Sequence, residues 1–348
     1  MPQIGQNAAK YATLTATVSH KSYILRLSNT IIMKLQQLRY VLEVSRHNLN
    51  VSEAADALYT SQPGISKQIR LLEEELGVQI FIRSGKRVVS VSQPGKEVLK
   101  LAERILRDVQ NIKNIGNEFT DHDSGSLTIA TTHTQARYVL PDIVARFVQR
   151  YPKVRLSIRQ GSPTAIAQMV ASGEADFAIA TESLDEHTDL RKLPCSQWTH
   201  AVIVPDGHPL LARTQPLALS DLSDYALITY EFAFTGSTSI ARAFQKAHIE
   251  PPVVALSSAD TDVLKTYVKL GLGIGLMAEM AFTSASDHGL QLIEAAHLFE
   301  PSWTYIALRP YTYLRGYTYD FINMFAPKLT RVRIDQMLYM PIMEYFSI

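Results

Sequence analysis

The chain has 348 residues, of which 46% are hydrophobic and 19% are charged, and this length and composition are those of a globular protein with two or three domains. Its single cysteine, Cys195, excludes a disulfide framework and a cysteine-based metal site, and it fits a reducing cytoplasm. No apolar run approaches the ~18 residues that a membrane-spanning helix needs, so no membrane partner is expected.

The net charge of +1 is distributed unevenly along the chain. Residues 1–32 carry +3, residues 33–114 carry 13 basic and 9 acidic side chains, and the rest of the chain carries −6. A basic front part joined to an acidic remainder is typical of a nucleic-acid-binding module attached to another domain. Residues 1–32 lack the pattern of a secretory signal, and we expect them to be a disordered extension or the product of a start codon upstream of Met33.

Three short helices are predicted at the start of the basic part. An apolar stripe predicts the first helix at Leu35–Arg46. Ser52 stands where it can cap a second helix. The third helix is capped by Thr60 or Ser61 and is ended by Gly77.

The third helix has two chemically different faces. Its apolar side chains Ile65, Ile69, Leu72 and Leu76 are predicted to cluster on one side, and the opposite side carries hydroxyl, amide and cationic groups. Such groups reach phosphates and base edges when a helix N-terminus enters the major groove of DNA. An ordinary solvated helix face is the alternative interpretation. The candidate DNA contacts on this helix are Ser61, Gln62, Pro63, Ser66, Lys67 and Arg70.

Two strands are predicted next, at Val78–Arg83 and Val88–Ser92, joined by a short turn that contains Gly85. This pattern predicts a wing, whose cations would contact the DNA backbone or the minor groove and add salt-sensitive affinity without reading bases. The candidate contacts on the wing are Arg83, Lys86 and Arg87.

A long helix is predicted after the wing. Its apolar residues recur at alternating spacings of three and four, which is typical of a coiled-coil seam and favours a dimer contact. Packing of the same stripe against its own domain is the alternative. The stripe consists of Val98, Leu101, Ile105, Val109 and Ile112.

The stretch ALYTSQPGISKQIRLLEEELGVQIFIRSGKR, within residues 33–117, resembles the DNA-binding end of LysR-type transcriptional regulators. The resemblance implies a cytoplasmic regulator that dimerises through linker helices and usually binds promoter DNA as a tetramer. It further implies an activator that meets RNA polymerase. Proteins of this family usually begin at the position of Met33.

From Ser124 onward, predicted strands alternate with helices. Polar loops follow the strand ends, where open α/β sheets bind ligands. The glycines Gly271, Gly273 and Gly275 lie between a helix and an apolar strand, which is the reverse of a dinucleotide-binding fingerprint, and we expect a tight turn there. The predicted strands are Leu127–Ala130, Val154–Arg159, Asp176–Ala180, Ala201–Val204 and Ala226–Tyr230.

Several predicted helices of this part begin with Thr, Ser or Gln. Unpaired N–H groups and partial positive charge at a helix N-terminus, together with hydroxyls, make a neutral cradle for an oxyanion. Simple helix capping is the alternative for each loop. The candidate ligand-binding residues from this pattern are Thr132, Thr134, Gln135, Ser162, Thr164 and Thr235.

The strings IATTHTQARY, QGSPT, ADFAIATE and DVLKTYVKLGLGIG resemble the CysB-type branch of the LysR family, which governs sulfur assimilation and cysteine biosynthesis, over about residues 33–330. The resemblance implies a small effector, acetylserine, sulfate or a related anion, in a cleft between two lobes like those of type 2 periplasmic binding proteins. Ser237 departs from the branch, which often has arginine there. Carried over by position, the ligand-binding residues are Thr132, Thr134, Gln135, Thr181 and Thr235.

These patterns and the resemblance together predict four segments. They are an N-terminal extension (1–32), an α-helical winged helix-turn-helix domain (33–91), a linker helix (92–117) and an α/β effector-binding domain (118–348). The resemblance places lobe I at about 125–193 and 302–330 and lobe II at about 195–299. The chain would then cross between lobes near Leu193–Cys195 and Glu300–Trp303. The tail after Arg331 matches no part of the branch, and its apolar content indicates packing or an interface.

Three alternative functions compete with this prediction. An enzyme is disfavoured, because His133 beside threonines has no partner carboxylate or nucleophile elbow and the histidines lack metal-ligand spacing. No catalytic residue, metal site or cofactor is therefore predicted. A solute-binding protein has the two lobes but would need export and has no use for a basic winged helix. Within the regulators, the sister regulator of alkanesulfonate and sulfate-starvation genes stays open.

Overall fold

The computed structural model describes residues 33–85, 87–181, 189–234 and 238–339. The predictions for residues 1–32, Lys86, Thr235 and Ser237 fall outside these residues. The chain forms two compact units, one up to Gln110 and one from Asn111 onward. None of the helices in the described ranges is long and apolar enough to cross a bilayer.

The first unit is a winged helix-turn-helix, as predicted. Its elements are α1 (Leu35–Arg46), α2 (Val51–Ala57), α3 (Gln62–Leu76), β1 (Phe81–Ser84), β2 (Arg87–Val91) and the start of α4 (Gln93–Thr120). Leu38 and Val41 of α1 and Ile65 and Ile69 of α3 are buried in one core. Each such side chain stabilises the fold by about 1.5–3 kcal/mol relative to an exposed position.

The caps of α2 and α3 test two sequence predictions. The prediction that Ser52 caps α2 is wrong, because the side chain of Asn50 accepts hydrogen bonds from the backbone N–H groups of Ser52 and Glu53 instead. Ser61 caps α3, and Gly77 ends it with a φ of +67°, where glycine is favoured over any residue with a Cβ.

The second unit consists of two lobes, each built on a five-stranded sheet. The strands of lobe I are β3 (Ser124–Thr131), β4 (Lys153–Gln160), β5 (Phe177–Ala180), β6 (Arg191–Trp198) and β12 (Ser302–Leu308), in the order β4-β3-β5-β12-β6. The strands of lobe II are β7 (His200–Pro205), β8 (Leu227–Thr229), β9 (Val254–Ser257), β10 (Ile274–Ala278) and β11 (Leu290–Glu294), in the order β11-β7-β10-β8-β9. In each sheet three parallel strands are extended by two more strands, each of which pairs antiparallel with its neighbours.

Helices cover both sheets. They are α5 (Leu140–Arg150), α6 (Pro163–Ser172), α10 (Gly316–Phe325) and α11 (Arg331–Tyr339) in lobe I, and α7 (Leu219–Leu222), α8 (Ser239–Ala247) and α9 (Thr261–Lys269) in lobe II. A π-helical turn, Gln135–Val139, precedes α5. The start of the tail, α11, packs into the core of lobe I through Ile334 and Leu338. The parallel strands with covering helices confirm the predicted α/β organisation.

The first crossing between the lobes lies at Thr199, and the prediction of Leu193–Cys195 is wrong. β6 continues in the first sheet to Trp198 and only then does β7 begin. Pro194 interrupts the sequence pattern of a β-strand, but the strand itself continues. β6 lies at the edge of its sheet, where a proline without an N–H group is tolerated. A bulge at Cys195 absorbs the irregularity.

The glycine-rich stretch is a helix-to-strand turn, as predicted. It connects the end of α9 to β10, and Gly271 has a φ of +75°. A Cβ at Gly273 would lie 2.4 Å from the carbonyl oxygen of Ala226, so only glycine fits there.

His200 begins β7, directly after the crossing, and is buried between the rings of Trp198 and Phe299. Burial lowers the pKa of His200 to about 4. The unfolded chain has an ordinary histidine pKa of ~6.5, so it binds more protons than the folded chain between pH 6.5 and 4. The contribution of His200 to stability is therefore complete above pH 6.5 and falls by about 3 kcal/mol as the pH drops to 4.

We expect the unfolding free energy of the His200→Gln variant to depend less on pH than that of wild type between pH 6.5 and 4. Both tryptophans, Trp198 and Trp303, lie in the second unit, so urea unfolding followed by tryptophan fluorescence between pH 4 and 7 reports on that unit. The difference in unfolding free energy between wild type and variant should change with pH. A constant difference would mean that His200 is protonated equally in both states.

Candidate DNA interface and ligand cleft

The exposed face of α3 carries the side chains that the sequence singled out. Lys67 and Arg70 are exposed, Pro63 is exposed in the first turn, and the amide of Gln62 donates to the hydroxyl of Ser66 at 3.1 Å. The Ser61 hydroxyl accepts the backbone N–H of Gly64 at 3.3 Å, so it caps the helix. Besides Pro63, this face presents two cations and neutral polar groups over the first turns.

The two described wing cations differ in their surroundings. Arg87 is exposed. Arg83 instead forms an ion pair with the buried carboxylate of Glu73, with 2.8 Å between Nη1 and Oε2. Glu73 also accepts the backbone N–H groups of Ile80 and Phe81 at 2.9 and 3.1 Å. Arg83 therefore holds the base of the wing against α3, a role that its position in the sequence did not reveal.

The apolar stripe of α4 divides into two parts. Val98 packs against the core of the first unit, as the alternative interpretation had it. Leu101, Ile105 and Ile112 are 59%, 36% and 67% exposed. Phe119, 84% exposed, lies further along the same helix. Large apolar side chains in a row on a helix surface indicate a contact with another chain.

A cavity of about 30 Å³ lies between the two lobes. At ~10–15 Å³ for one water molecule, it has room for two or three small groups. Its walls combine hydroxyls, one amide and aromatic rings, and none of the described lining residues is charged. They are Thr132, Thr134, Gln135, Gly161, Thr181, Trp198, Tyr230, Phe232, Ala259, Ala278 and Met280.

The structure brings together four of the sequence-predicted ligand residues, Thr132, Thr134, Gln135 and Thr181. Ser162 and Thr164 are exposed and do not line the cavity. The hydroxyl of Ser162 caps α6 by accepting the backbone N–H of Ala165 at 3.3 Å. In the loop before α6, Ser162 therefore acts as a helix cap, which was the alternative interpretation to an anion-binding site.

Two lining residues carry buried polar atoms without a hydrogen-bond partner in the described part of the chain, Trp198 Nε1 and Gln135 Oε1. An unpaired buried polar group costs about 1–3 kcal/mol. The first is a donor that suits an oxyanion, and the second is an acceptor that suits an N–H or O–H group. The Gln135 amide nitrogen is already used, since it donates to the Thr304 hydroxyl at 3.3 Å.

Thr134 connects the lobes. Its hydroxyl lies 2.9 Å from that of Thr261 and 3.4 Å from that of Tyr230, both in lobe II. The Tyr230 hydroxyl also accepts the backbone N–H of Ala278 at 3.2 Å. Thr134 therefore lines the cavity, but its hydroxyl is already bonded to lobe II across the cleft. In this respect it differs from Thr132.

Further polar and charged contacts between the lobes reinforce this connection beside the cavity. His133 lies 3.3 Å from Asp260, and Arg137 lies 3.3 Å from Asp262, which also accepts the Tyr138 hydroxyl. Burial and the Asp262 hydrogen bond raise the pKa of Tyr138 to about 12, so its phenol stays a donor at neutral pH.

The ligand atoms of His133, Asp260 and Asp262 lie within 4.8 Å of one another, a spacing that a metal ion could bridge. However, Asp260 caps α9 and Asp262 is neutralised by Arg137 and Lys265. The contact of His133 with Asp260, the helix cap and the ion pairs of Asp262 account for all three side chains. Cys195 is no nucleophile here, because burial raises the pKa of its thiol to about 12.

The aromatic part of the cavity, above all Trp198, Tyr230 and Phe232, was not predicted from the sequence. Each lies at or beyond the C-terminal end of a strand, β6 or β8. The rings of Tyr230 and Phe232 are stacked, with centroids 5.3 Å apart. Aromatic residues that directly follow a strand are the signal that points to such a wall.

Comparisons with known proteins agree with this architecture. A family model described as "Bacterial regulatory helix-turn-helix protein, lysR family" matches residues 35–96, and one described as "LysR substrate binding domain" matches residues 120–330. The chain is 51% identical over 306 residues to the HTH-type transcriptional regulator CysB of Burkholderia cenocepacia, covering 88% of this chain and 97% of that protein. It is 50% identical over 306 residues to the regulator SsuR of the same organism, covering 88% and 99%.

Among solved structures, the cofactor-binding domain of the Cbl transcriptional regulator is similar with a TM-score of 0.59 and 38% identity, covering 63% of this chain and 95% of that chain. A helix-turn-helix unit for DNA and a substrate-binding domain for a small effector are thus both present. The chain belongs to the LysR family of transcriptional regulators, and it is not an enzyme.

Proposed function

We propose that this protein regulates genes of sulfur assimilation and cysteine biosynthesis in response to a small anionic effector bound between the lobes of its second unit. The observation that carries the proposal is the pair of unpaired polar atoms in the cavity, Trp198 Nε1 and Gln135 Oε1. The regulon is supported by the names of the relatives CysB and SsuR, at 51% and 50% identity.

Acetylserine fits the cavity chemistry better than sulfate. Its carboxylate and acetyl oxygens accept hydrogen bonds, and it also offers an N–H or O–H group to Gln135 Oε1. Sulfate supplies acceptors only and would leave this buried oxygen unpaired, which costs about 1–3 kcal/mol. A cavity of about 30 Å³ is small for acetylserine, so the lobes must separate slightly to admit it.

On DNA, α3 is proposed to enter the major groove of a promoter while Arg87 contacts the backbone. The exposed stripe of α4 is proposed to join two chains, and two such dimers form the tetramer. This arrangement places two recognition helices on one pseudo-palindromic site. The protein would act as a cytoplasmic activator that contacts RNA polymerase.

A second regulon is supported almost equally, because the identity to SsuR differs by one percentage point from that to CysB. In that case the target genes would serve alkanesulfonate use and sulfate starvation. The two regulons are separated by footprinting on promoters of both gene sets.

The test is a gel shift and footprint on promoter DNA with and without acetylserine, and separately with sulfate. We expect acetylserine to change the footprint or the affinity, because a ligand shifts an equilibrium when it binds one state better. An unchanged footprint at saturating acetylserine and sulfate would contradict the effector proposal and leave DNA binding intact.

Thr132→Val removes a hydroxyl from the cavity and keeps the shape of the side chain. Because a hydrogen bond to a charged group contributes about 1.5–3 kcal/mol, we expect the affinity for acetylserine to fall on the order of tenfold to a hundredfold. Isothermal titration calorimetry measures this directly. The control is Thr164→Val, the same change at an exposed position outside the cavity. Equal affinities of the two variants would remove Thr132 from the site.

A further inference from the structure

The last turns of α4 are attached to the segment that follows β12. We call this segment, residues 309–316, the return segment. The side chain of Asn111 makes two bonds to it, donating to the carbonyl oxygen of Tyr311 at 2.8 Å and accepting the backbone N–H of Tyr313 at 3.0 Å. These two bonds use both ends of one amide, so they fix the orientation of the helix as well as its distance.

Arg315 makes the second attachment, two turns further along α4. Its Nε donates to Glu118 at 3.0 Å, and its two terminal nitrogens donate to the carbonyl oxygens of Asn117, Asp121 and Ser124. The other Glu118 oxygen accepts the backbone N–H of Gly316 at 3.1 Å. The carbonyl of Asp121, just past the end of the helix, has no intrahelical partner. The carbonyl of Asn117 accepts the Arg315 guanidinium in addition to the backbone N–H of Asp121.

The attachment is buried and tightly fitted. Arg315 is 8% exposed, and a Cβ on Gly125 would lie 2.7 Å from its Nη1. A planar guanidinium can donate to several acceptors at fixed angles, which an ammonium group cannot do. The group therefore defines one direction for the end of α4 relative to lobe I.

The same stretch of chain contacts a residue that lines the ligand cavity. β12 is the strand on which the chain returns to lobe I, and it leads directly into the return segment. Thr304 on β12 accepts a hydrogen bond from Gln135, which lines the cavity. Residues 304–316 thus contact a residue that lines the ligand cavity at one end and the linker helix at the other.

We propose that Arg315 and Asn111 are positioning residues that couple ligand binding to the direction of the linker helix α4. The proposal rests on the proposed function, since it requires a ligand-dependent change in DNA binding. A ligand that moves Gln135 and β12 displaces the return segment, and the two attachments pass this displacement to α4. Without them, ligand binding and DNA binding proceed independently.

The test measures coupling in the full-length protein. The affinity for promoter DNA is determined with and without saturating acetylserine, and the affinity for acetylserine is determined with and without DNA. The two ratios must agree, because coupling is reciprocal. We expect a ratio on the order of tenfold for wild type and less than about twofold for Asn111→Ala and Arg315→Lys.

Asn111→Ala removes two bonds at a half-buried position, and Arg315→Lys keeps the charge beside Glu118 but loses the planar fork. If Arg315→Lys fails to fold, Asn111→Ala decides alone. The control is Asn117→Ala, on the same helix, whose exposed side chain has no hydrogen-bond partner among the described residues. Ligand affinity without DNA should stay within about twofold of wild type in all three.

The outcomes separate the two proposals. A coupled wild type with uncoupled Asn111→Ala and a coupled control supports the positioning role. Full coupling in folded Asn111→Ala and Arg315→Lys overturns it and leaves the proposed function standing. A wild type without coupling overturns the proposed ligand switch itself, and the positioning role with it.

Discussion

Replacing Lys67 and Arg70 together by alanine is expected to weaken binding to a specific promoter site on the order of a hundredfold to a thousandfold. Both side chains are exposed on the polar face of α3, one turn apart, opposite the buried Ile65 and Ile69. A side chain that reads a base edge contributes about 1–3 kcal/mol, and a lost phosphate contact weakens binding to all sequences. The fold should be unaffected, because neither side chain belongs to the core.

Fluorescence anisotropy with specific and unrelated DNA, at several salt concentrations, distinguishes the two kinds of contact. A phosphate contact lowers the salt dependence by about one unit of slope on both DNAs, whereas a base contact reduces only the preference for the specific site. The matched control is Lys100→Ala, an exposed lysine on α4 that pairs with Glu97. If the double variant keeps wild-type affinity and preference, α3 is not the recognition helix.

The DNA-binding unit was largely predictable from the sequence, because its elements are determined by local patterns. The stripe of α1 and the cap and glycine stop of α3 are short-range signals, and the observed bounds agree with them. The cap of α2 was misassigned, since Asn50 and Ser52 are both good caps and only the backbone path decides between them. The partner of Arg83 was missed because Glu73 lies ten residues away, on another element.

The ligand cleft was predictable only in part. Thr132 and Gln135 directly follow a strand and line the cavity, as expected from loops at strand ends. Trp198 was missed because the resemblance placed the crossing between the lobes near Leu193–Cys195, whereas the edge strand β6 continues to Trp198. The engagement of Thr134 with lobe II depends on how the two lobes meet, which no local pattern encodes.

Glu73→Ala is expected to destabilise the DNA-binding unit by about 4 kcal/mol. The carboxylate is buried and accepts two backbone N–H groups, from Ile80 and Phe81, besides its ion pair with Arg83. Its removal leaves two buried donors and a half-buried cation without a partner, and breaking a buried charge pair from one side costs about 3–5 kcal/mol. Because these bonds hold β1 against α3, the wing should also lose its fixed position and DNA affinity should fall.

Hydrogen exchange at the amides of Ile80 and Phe81 measures this loss locally, which matters because a chain with two units need not unfold in one step. Glu73→Gln keeps one acceptor oxygen but loses the charge, so we expect roughly half of the effect. Glu74→Ala makes the same truncation at the next, exposed position of α3 and should change stability by less than about 0.5 kcal/mol. If Glu73→Ala exchanges like Glu74→Ala, the wing is held by its apolar residues, Phe81 and Val88, rather than by the buried carboxylate.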